Sequence, residues 1–438
     1  MKRQTLFATA LVFFCLSAAL YSTQARSTTE SKTLGASQET SGQPADLSEK
    51  IRLLNSANPI ERATAACQIG AMGKRAAQAI PNLIQMLGDD AQISGEIYCE
   101  EQNGRGRRHI GGGDEPTTPG RVAAGALAAI GAQSVDPLIA VVRHSNPIVR
   151  SNAVFALGVI NDPRTIEPVI AAGRDSDARV RENAAWSMGL KQDKNVVEPL
   201  LTLLTDNETK VREKAAWSLG LQGDSRAVEP LTNSLRDENP SVREQSAWSL
   251  GLKGNSKAVE PLIGSLTDSE SRVREKAAWS LGLKGDQRSV EPLMNALKDE
   301  NAQVRSQAAW ALGLKGDHRA VGALNAAMKD ASNSVRKNAT WALGMLLMRD
   351  GKAAEKAGDL DIDVKKIKEK EKDNDTDNDS ERGEESGDPK IPVEVNVAMP
   401  VPMPIPMPMP RIDVLPRIDL APGSDLPPKP TSKQRDKN

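Results

Sequence analysis

The chain has little of what most catalytic or cofactor-binding proteins are built from. Among 438 residues there are three histidines, three cysteines and an aromatic fraction of 3%. Two tyrosines and four phenylalanines cannot fill a large mixed core, so the interior must be built from Ala, Leu, Val and Ile. The cysteines are too few for a disulfide scaffold or for a zinc site of the usual Cys/His type. His109, His144 and His318 are scattered, and no Ser/His/Asp or Cys/His constellation is brought together by the chain's periodicity. An excess of charge of one sign is also missing. A formal net charge of −1 argues against nucleic acid as the main partner, because a polyanion is held by a basic surface. These scarcities predict a chain with no cofactor and no metal site.

Long apolar runs are equally scarce. The one at the start follows Lys2 and Arg3, extends over 6–20, and leads to the small-residue site Thr23-Gln24-Ala25. It is too short to span a bilayer comfortably and reads as a secretory signal peptide over 1–25. Phe13 and Phe14 before Cys15 rule out a lipoprotein site. The expectation is an exported protein, periplasmic or secreted, with no stable membrane insertion after cleavage. Residues 26–46 read as a disordered linker. Export permits a disulfide, and Cys67 and Cys99 remain to form one.

What the chain does have is repetition. All six tryptophans, Trp186, Trp217, Trp248, Trp279, Trp310 and Trp341, recur at a spacing of 31 residues. One unit reads "DSRAVEPLTNSLRDENPSVREQSAWSLGLKG" over 224–254. Val228, Leu231 and Leu235 form a helical stripe in its first half, with Asp224 or Ser225 as N-cap. Its second half opens on Asn239-Pro240, a cap followed by proline at the first helical position, a device repeated at Asn58-Pro59 and Asn146-Pro147. Gly254, like Gly223, Gly285 and Gly316, stands where a left-handed residue ends a helix. Each unit is therefore two antiparallel helices, A and B, of about 12 residues each. Pro168, Pro199, Pro230, Pro261 and Pro292 recur within helix A and predict a late start or a bend there. One such pair cannot bury its stripe alone, and stacking the pairs gives an all-α solenoid of about nine repeats over 47–349. The early units are degenerate, with Phe155 in the tryptophan slot of one and Cys67 in that of the first. An insertion over 92–120, "GRGRRHIGGGDEPTTPG" in part, reads as a mobile loop and lacks the Gly-Lys-Ser/Thr of a phosphate loop. A disulfide between Cys67 and Cys99 would pin that loop across one end of the B-helix surface, although spacing alone leaves the pairing open.

Beyond Arg349 the composition changes. Residues 350–390 are a charged segment that cannot bury a core, and 391–438 are rich in proline and methionine, with the character of polyproline II. Both are expected to be disordered. Met399, Met403, Met407 and Met409 are spaced so that thioethers would suit soft copper(I), against the plainer reading of a spacer or docking segment.

The stretches "VREKAAWSLGLKGD" and "AVEPL" resemble the short HEAT-like repeats associated with phycobilisome lyases, strongly over 163–347 and weakly over 47–160. The resemblance implies a ladder of acid–base pairs between neighbouring repeats. Asp175, Asp206, Asp237, Asp268, Asp299 and Asp330 each stand six residues before Arg181, Arg212, Arg243, Arg274, Arg305 and Arg336, as such a ladder needs. Members of the wider class that bind iron use recurring His-Glu pairs, which do not occur here.

At about 100° per residue, with Val211 at zero, the core arc of helix B holds Ala215, Leu219 and Ala216, and Trp217 falls near 240° beside Glu213 and Lys214. The six tryptophans therefore line the B-helix side, the concave side in this class. Two readings stand together. Each indole packs laterally over its neighbour's helix at Gly220-type positions, or the row, flanked by Glu213, Glu244 and Glu275, is a recognition surface for a protein or peptide. The functional expectation is an exported, non-enzymatic interaction scaffold. The alternatives are a lyase-type or accessory enzyme acting on a chromophore or modified protein and, more weakly, copper handling through the tail.

Overall fold

The computed structural model describes residues 43–93, 97–100, 107–110, 117–191 and 193–349. The segments expected as a signal peptide over 1–25, as most of a linker over 26–46 and as two C-terminal segments lie outside these residues. The chain divides into two units, Met1–Asp46 and Leu47–Asn438, and the second carries the repeats.

Nine A–B pairs follow one another. They are α1 (Gln43–Leu53) with α2 (Pro59–Ala71), α3 (Ile80–Met86) with α4 (Pro119–Ile130), and α5 (Val135–Val141) with α6 (Pro147–Val159). Next come α7 (Ile166–Ala172) with α8 (Ala178–Leu190), α9 (Val197–Leu203) with α10 (Thr209–Gln222), and α11 (Val228–Ser234) with α12 (Pro240–Lys253). The last are α13 (Val259–Ser265) with α14 (Ser271–Leu283), α15 (Val290–Ala296) with α16 (Ala302–Lys315), and α17 (Val321–Ala327) with α18 (Asn333–Arg349). The expected solenoid is present, and α1 begins four residues ahead of the expected boundary at 47.

The two helices of a pair are less equal than expected. From α8 to α16 the B helices run 13 or 14 residues, whereas each A helix is seven residues behind a three-residue 3-10 turn. The recurring proline explains the late start. Pro199 is the third residue of α9, where its missing N–H is one the first turn would leave unpaired in any case. Asp224 caps the 3-10 turn before α11 by accepting the Arg226 N–H, and Asn239 caps α12 by accepting the Ser241 N–H. Gly223 and Gly316 end their helices in the left-handed conformation as expected, with φ of 68° and 64°. Gly254 does not: its φ is −60°, and α12 ends by turning directly into extended chain.

The insertion departs from a plain loop. Its described part holds an antiparallel hairpin of β1 (Ile97–Glu100) and β2 (Arg107–Ile110), with Cys99 opposite Arg108. Ile93 bridges Thr117 at its base. Strand β1 packs against α2.

Successive B helices pack along their lengths, while A helices touch their neighbours mainly through the 3-10 turns. The B row is thus the closer-packed side of the stack. Small residues make that approach feasible. Val211, Ala215, Ala216 and Leu219 are sealed, as the helical projection required, and so are their counterparts Val273, Ala277, Ala278 and Leu281. Because a B helix inside the stack has a B neighbour on two sides and an A helix behind, it is enclosed over most of its circumference, which explains its run of Ala, Ser and Gly.

Three polar devices tie neighbouring repeats together. The expected acid–base ladder runs forward: each Arg pairs with the Asp of the next repeat. Arg181 grips Asp206 at 2.7 and 2.9 Å, Arg212 grips Asp237, Arg243 grips Asp268, Arg274 grips Asp299 and Arg305 grips Asp330. The fork is two-pronged, and a third guanidinium nitrogen donates to carbonyls of its own A–B turn, as Arg243 does to Asp237 O and Glu238 O. Asp175 is held by Arg150 of the repeat before. Arg336, in the last repeat, donates to Asp330 O and Ala331 O.

The other two devices were not anticipated. Ser187, Ser218, Ser249 and Ser280 are buried and donate from Oγ to a backbone carbonyl of the preceding B helix, at 2.7 Å for Ser218 to Ala185 O. Five residues past the tryptophan stands a long donor that caps the end of the preceding B helix. Lys191 Nζ donates to Leu157 O and Ile160 O, both at 2.7 Å, and Lys315 Nζ donates to Lys284 O and Asp286 O. Gln222 does the same without charge, to Met188 O, Gly189 O and Lys191 O. Cations suit helix C-termini, where unpaired carbonyls carry partial negative charge. Burial pushes the Lys191, Lys284 and Lys315 ammoniums down to about 8.

Candidate functional site

The candidate surface is what the B helices leave uncovered after this packing. Four of the indoles cross the glycine of the preceding B helix. A Cβ placed on Gly189, Gly251, Gly282 or Gly313 would meet Cζ3 of Trp217, Trp279, Trp310 or Trp341 at 3.0, 2.8, 2.9 and 2.7 Å. The slot is therefore first a lateral packing position. Glycine is needed opposite it because only a residue without Cβ lets the ring lie flat against the neighbouring backbone. Trp217 and Trp279 keep only 5% and 7% of their surface exposed. Trp186, Trp248, Trp310 and Trp341 are half-buried and present an edge.

The row continues into the degenerate repeats. Phe155 stacks on Trp186 with ring centroids 5.1 Å apart and planes 21° apart. The Arg121 guanidinium lies 3.3 Å over the Phe155 ring. In the second repeat the slot falls on Gly125, since Ala126 stands over Gly70 as Ser218 stands over Gly189. In the first it falls on Cys67, which is half-buried and disulfide-bonded. The strand that carries Cys99 packs on the same helix.

A second apolar row, which the helical projection of Trp217 does not include, accompanies the indoles. Four residues past the tryptophan, one turn along the same face, stand Leu190, Leu221, Leu252, Leu283, Leu314 and Met345. Leu221, Leu283 and Met345 are 38%, 39% and 38% exposed. With Ile60 they are the large hydrophobic side chains standing free among the described residues. Exposure alternates along the middle of the row. Where the indole is closed off, at Trp217 and Trp279, the following leucine is open, whereas Trp248 and Leu252 are both half-buried. The repeats with closed indoles carry a lysine three residues before the ring, Lys214 and Lys276, paired to Glu213 at 3.1 Å and to Glu275 at 3.3 Å. The recurrence of Leu at a fixed register was the available signal.

The three glutamates expected to flank the row are all half-buried. Burial pushes the Glu244 carboxyl up from its ordinary value, against the opposing pull of Lys276 and Arg272. The surface is thus an apolar row bordered by partly desolvated carboxylates and their lysines. Among the described residues no group of three or more His, Cys, Asp and Glu is placed to hold a metal ion. His144 accepts the Asn146 N–H in an exposed turn, far in character from a catalytic pair. No single helix among the described residues is long and apolar enough to cross a membrane. The segments Pro119–Ile130 and Ala132–Val141 together have the length and composition, but they are bent by 119° and lie in the repeat core.

The geometry of stacked A–B pairs tied by repeated polar bridges defines a helical-repeat protein. HEAT repeats match residues 114–189, 166–239, 228–299 and 290–357, and the chain belongs to the HEAT-repeat family. No curated protein matches it. Among solved structures, YibA of Escherichia coli is 20% identical, with 72% of this chain and 99% of that one covered and a TM-score of 0.47. The complex of CpcE and CpcF of phycocyanin lyase from Nostoc sp. PCC7120 is 24% identical, with 49% and 87% covered and a TM-score of 0.35. Human deoxyhypusine hydroxylase is 20% identical, with 62% and 97% covered and a TM-score of 0.27. Likenesses of this degree say nothing of this chain's chemistry.

Proposed function

We propose that this chain is a non-enzymatic scaffold that holds a protein or peptide partner along the B-helix face. The observation that carries the reading is the recurrence of Leu221, Leu283 and Met345, open to solvent at one register along the row of indoles. Exposed apolar side chains scattered singly are ordinary, whereas a row of them on one wall marks an interaction site. Rigid indole edges add contact area with little loss of side-chain freedom on binding. The methionines of the copper-handling alternative lie outside the described residues.

The scaffold acts outside the cytosol. The apolar segment at 6–20 and the disulfide at Cys67 support that reading, since disulfides persist in oxidising compartments.

The test is site-specific photo-crosslinking in the native envelope fraction. A photoreactive residue at 221 or 283 yields an adduct of defined mass, and one at 229, exposed on an A helix, yields none. With the probe at 221, Leu283→Glu with Met345→Glu abolishes the adduct without loss of helicity. Equal labelling from both faces refutes the proposal.

A further inference from the structure

We infer that the proline- and methionine-rich segment 399–420 of this same chain lies along the B-helix face and occupies its apolar row. This inference rests on the reading of that face as a binding surface and names an occupant that regulates it.

Lengths agree first. Residues 399–410 are twelve residues without charge, reading MPVPMPIPMPMP. As polyproline II at about 3.1 Å per residue they extend about 37 Å. From Leu221 to Met345 there are four repeat steps, which at about 9 Å between packed helices come to about 36 Å. Periods agree as well. The segment continues as RIDVLP and RIDLAP, a six-residue repeat over 411–422 that places Arg411 and Arg417 about 19 Å apart in the same conformation. Two repeat steps come to about 18 Å. The alternating exposure of the row gives the face this two-step period.

Chemistry and reach complete the case. Proline-rich chains dock in aromatic-lined grooves because they are already extended and have little conformational freedom to lose. Methionine fits irregular apolar surface and makes favourable contacts at ring edges. Between the end of α18 at Arg349 and Met399 there are 49 residues. A random coil of that length spans about 38 Å, and such a tether holds its ligand at about millimolar effective concentration. A partner must then displace the segment to bind.

The chain's own indoles report on this contact, since Trp186, Trp248, Trp310 and Trp341 present an edge on the face. In the full chain, Met399→Ser, Met403→Ser, Met407→Ser and Met409→Ser together raise the acrylamide quenching constant of the tryptophan emission about twofold, with helicity unchanged. Adding the unmodified 397–422 peptide to that variant reverses the rise. A photoreactive residue at 283, in an equal mixture of 15N-labelled and unlabelled chains, gives adducts to 391–420 within one isotope. Unchanged quenching overturns the inference, as do adducts only between isotopes, which assign the face to a second copy. If quenching is unchanged while a foreign adduct persists at 221, this inference falls and the partner reading stands. If the intrachain adduct forms and no foreign one does, the inference stands and the partner reading falls.

Discussion

Arg243→Ala tests whether the ladder holds the stack together. The guanidinium donates to both Asp268 oxygens at 2.8 Å and to Asp237 O and Glu238 O at 3.0 and 3.2 Å. The two side chains are 13% and 12% exposed, so the pair is shielded from water and from salt. Removing one partner of such a pair leaves an uncompensated carboxylate, which costs about 3–5 kcal/mol. Arg336→Ala is the internal control. Its described bonds go to Asp330 O and Ala331 O alone, and their loss costs about 2 kcal/mol. Urea unfolding followed by tryptophan emission compares the two. In a stack whose stability is a sum of nearest-neighbour terms, the central variant also divides one transition into two. The defect depends on pH with a definite sign. Burial works to raise the Asp268 carboxyl, and Arg243 with the Glu270 N–H outweighs it, leaving the group below its usual value. A depressed carboxylate contributes stability that is present above the unfolded value near 3.8 and is lost as pH falls through the folded one. Without Arg243, burial dominates and Asp268 takes up a proton at higher pH. The gap between variant and wild type therefore narrows as pH falls toward 3.8. A defect no larger than that of Arg336→Ala, or one that widens in acid, refutes the reasoning.

Three further outcomes follow from the packing. Gly313→Ala places a Cβ 2.7 Å from Trp341 Cζ3 and 2.8 Å from Ala342 Cα, so thermal unfolding should show a loss of about 1–3 kcal/mol. Gly285→Ala, where a Cβ meets nothing within 4 Å, should show no loss. Lys315→Gln should keep the cap that Gln222 already provides without charge. The wild-type ammonium is depressed to about 8 from 10.5, so the unfolded chain binds more protons between those values and stability rises with pH across that window. The variant should lose this lysine's share of the rise, about 3 kcal/mol at most, in denaturation curves at pH 7.5 and 10. Peptide mapping without reduction should recover Cys67 joined to Cys99, and recovery of Cys67 with another partner would refute that pairing.

The repeat architecture was legible because each unit carries its own punctuation. Asn239-Pro240 opens a helix, Asp224 opens the turn before Pro230, and 31-residue recurrence compels stacking, whatever the neighbours are. The twelve ladder residues were legible for the same reason, as Asp and Arg recur in phase. Their direction was not. Arg243 reaches forward to Asp268 rather than back to Asp237, and only the offset between stacked repeats makes the next carboxylate the nearer one. Gly254 shows a similar limit, since a glycine after a helix permits a left-handed cap without requiring it.

The tryptophan row divides along the same line. Its helical phase, opposite the sealed arc of Val211 and Ala215, follows from 3.6 residues per turn and was present in the chain. How much of each ring stays open depended on what the adjoining B helix offers. A glycine beneath the ring and a paired lysine beside it closed Trp217 and Trp279 and left Leu221 and Leu283 outside. The hairpin over α2 and the serine and lysine bridges to preceding carbonyls belong with these. Local periodicity sets which face a side chain occupies. Distances between backbones in successive repeats set what it touches, and those arise only when the units are stacked.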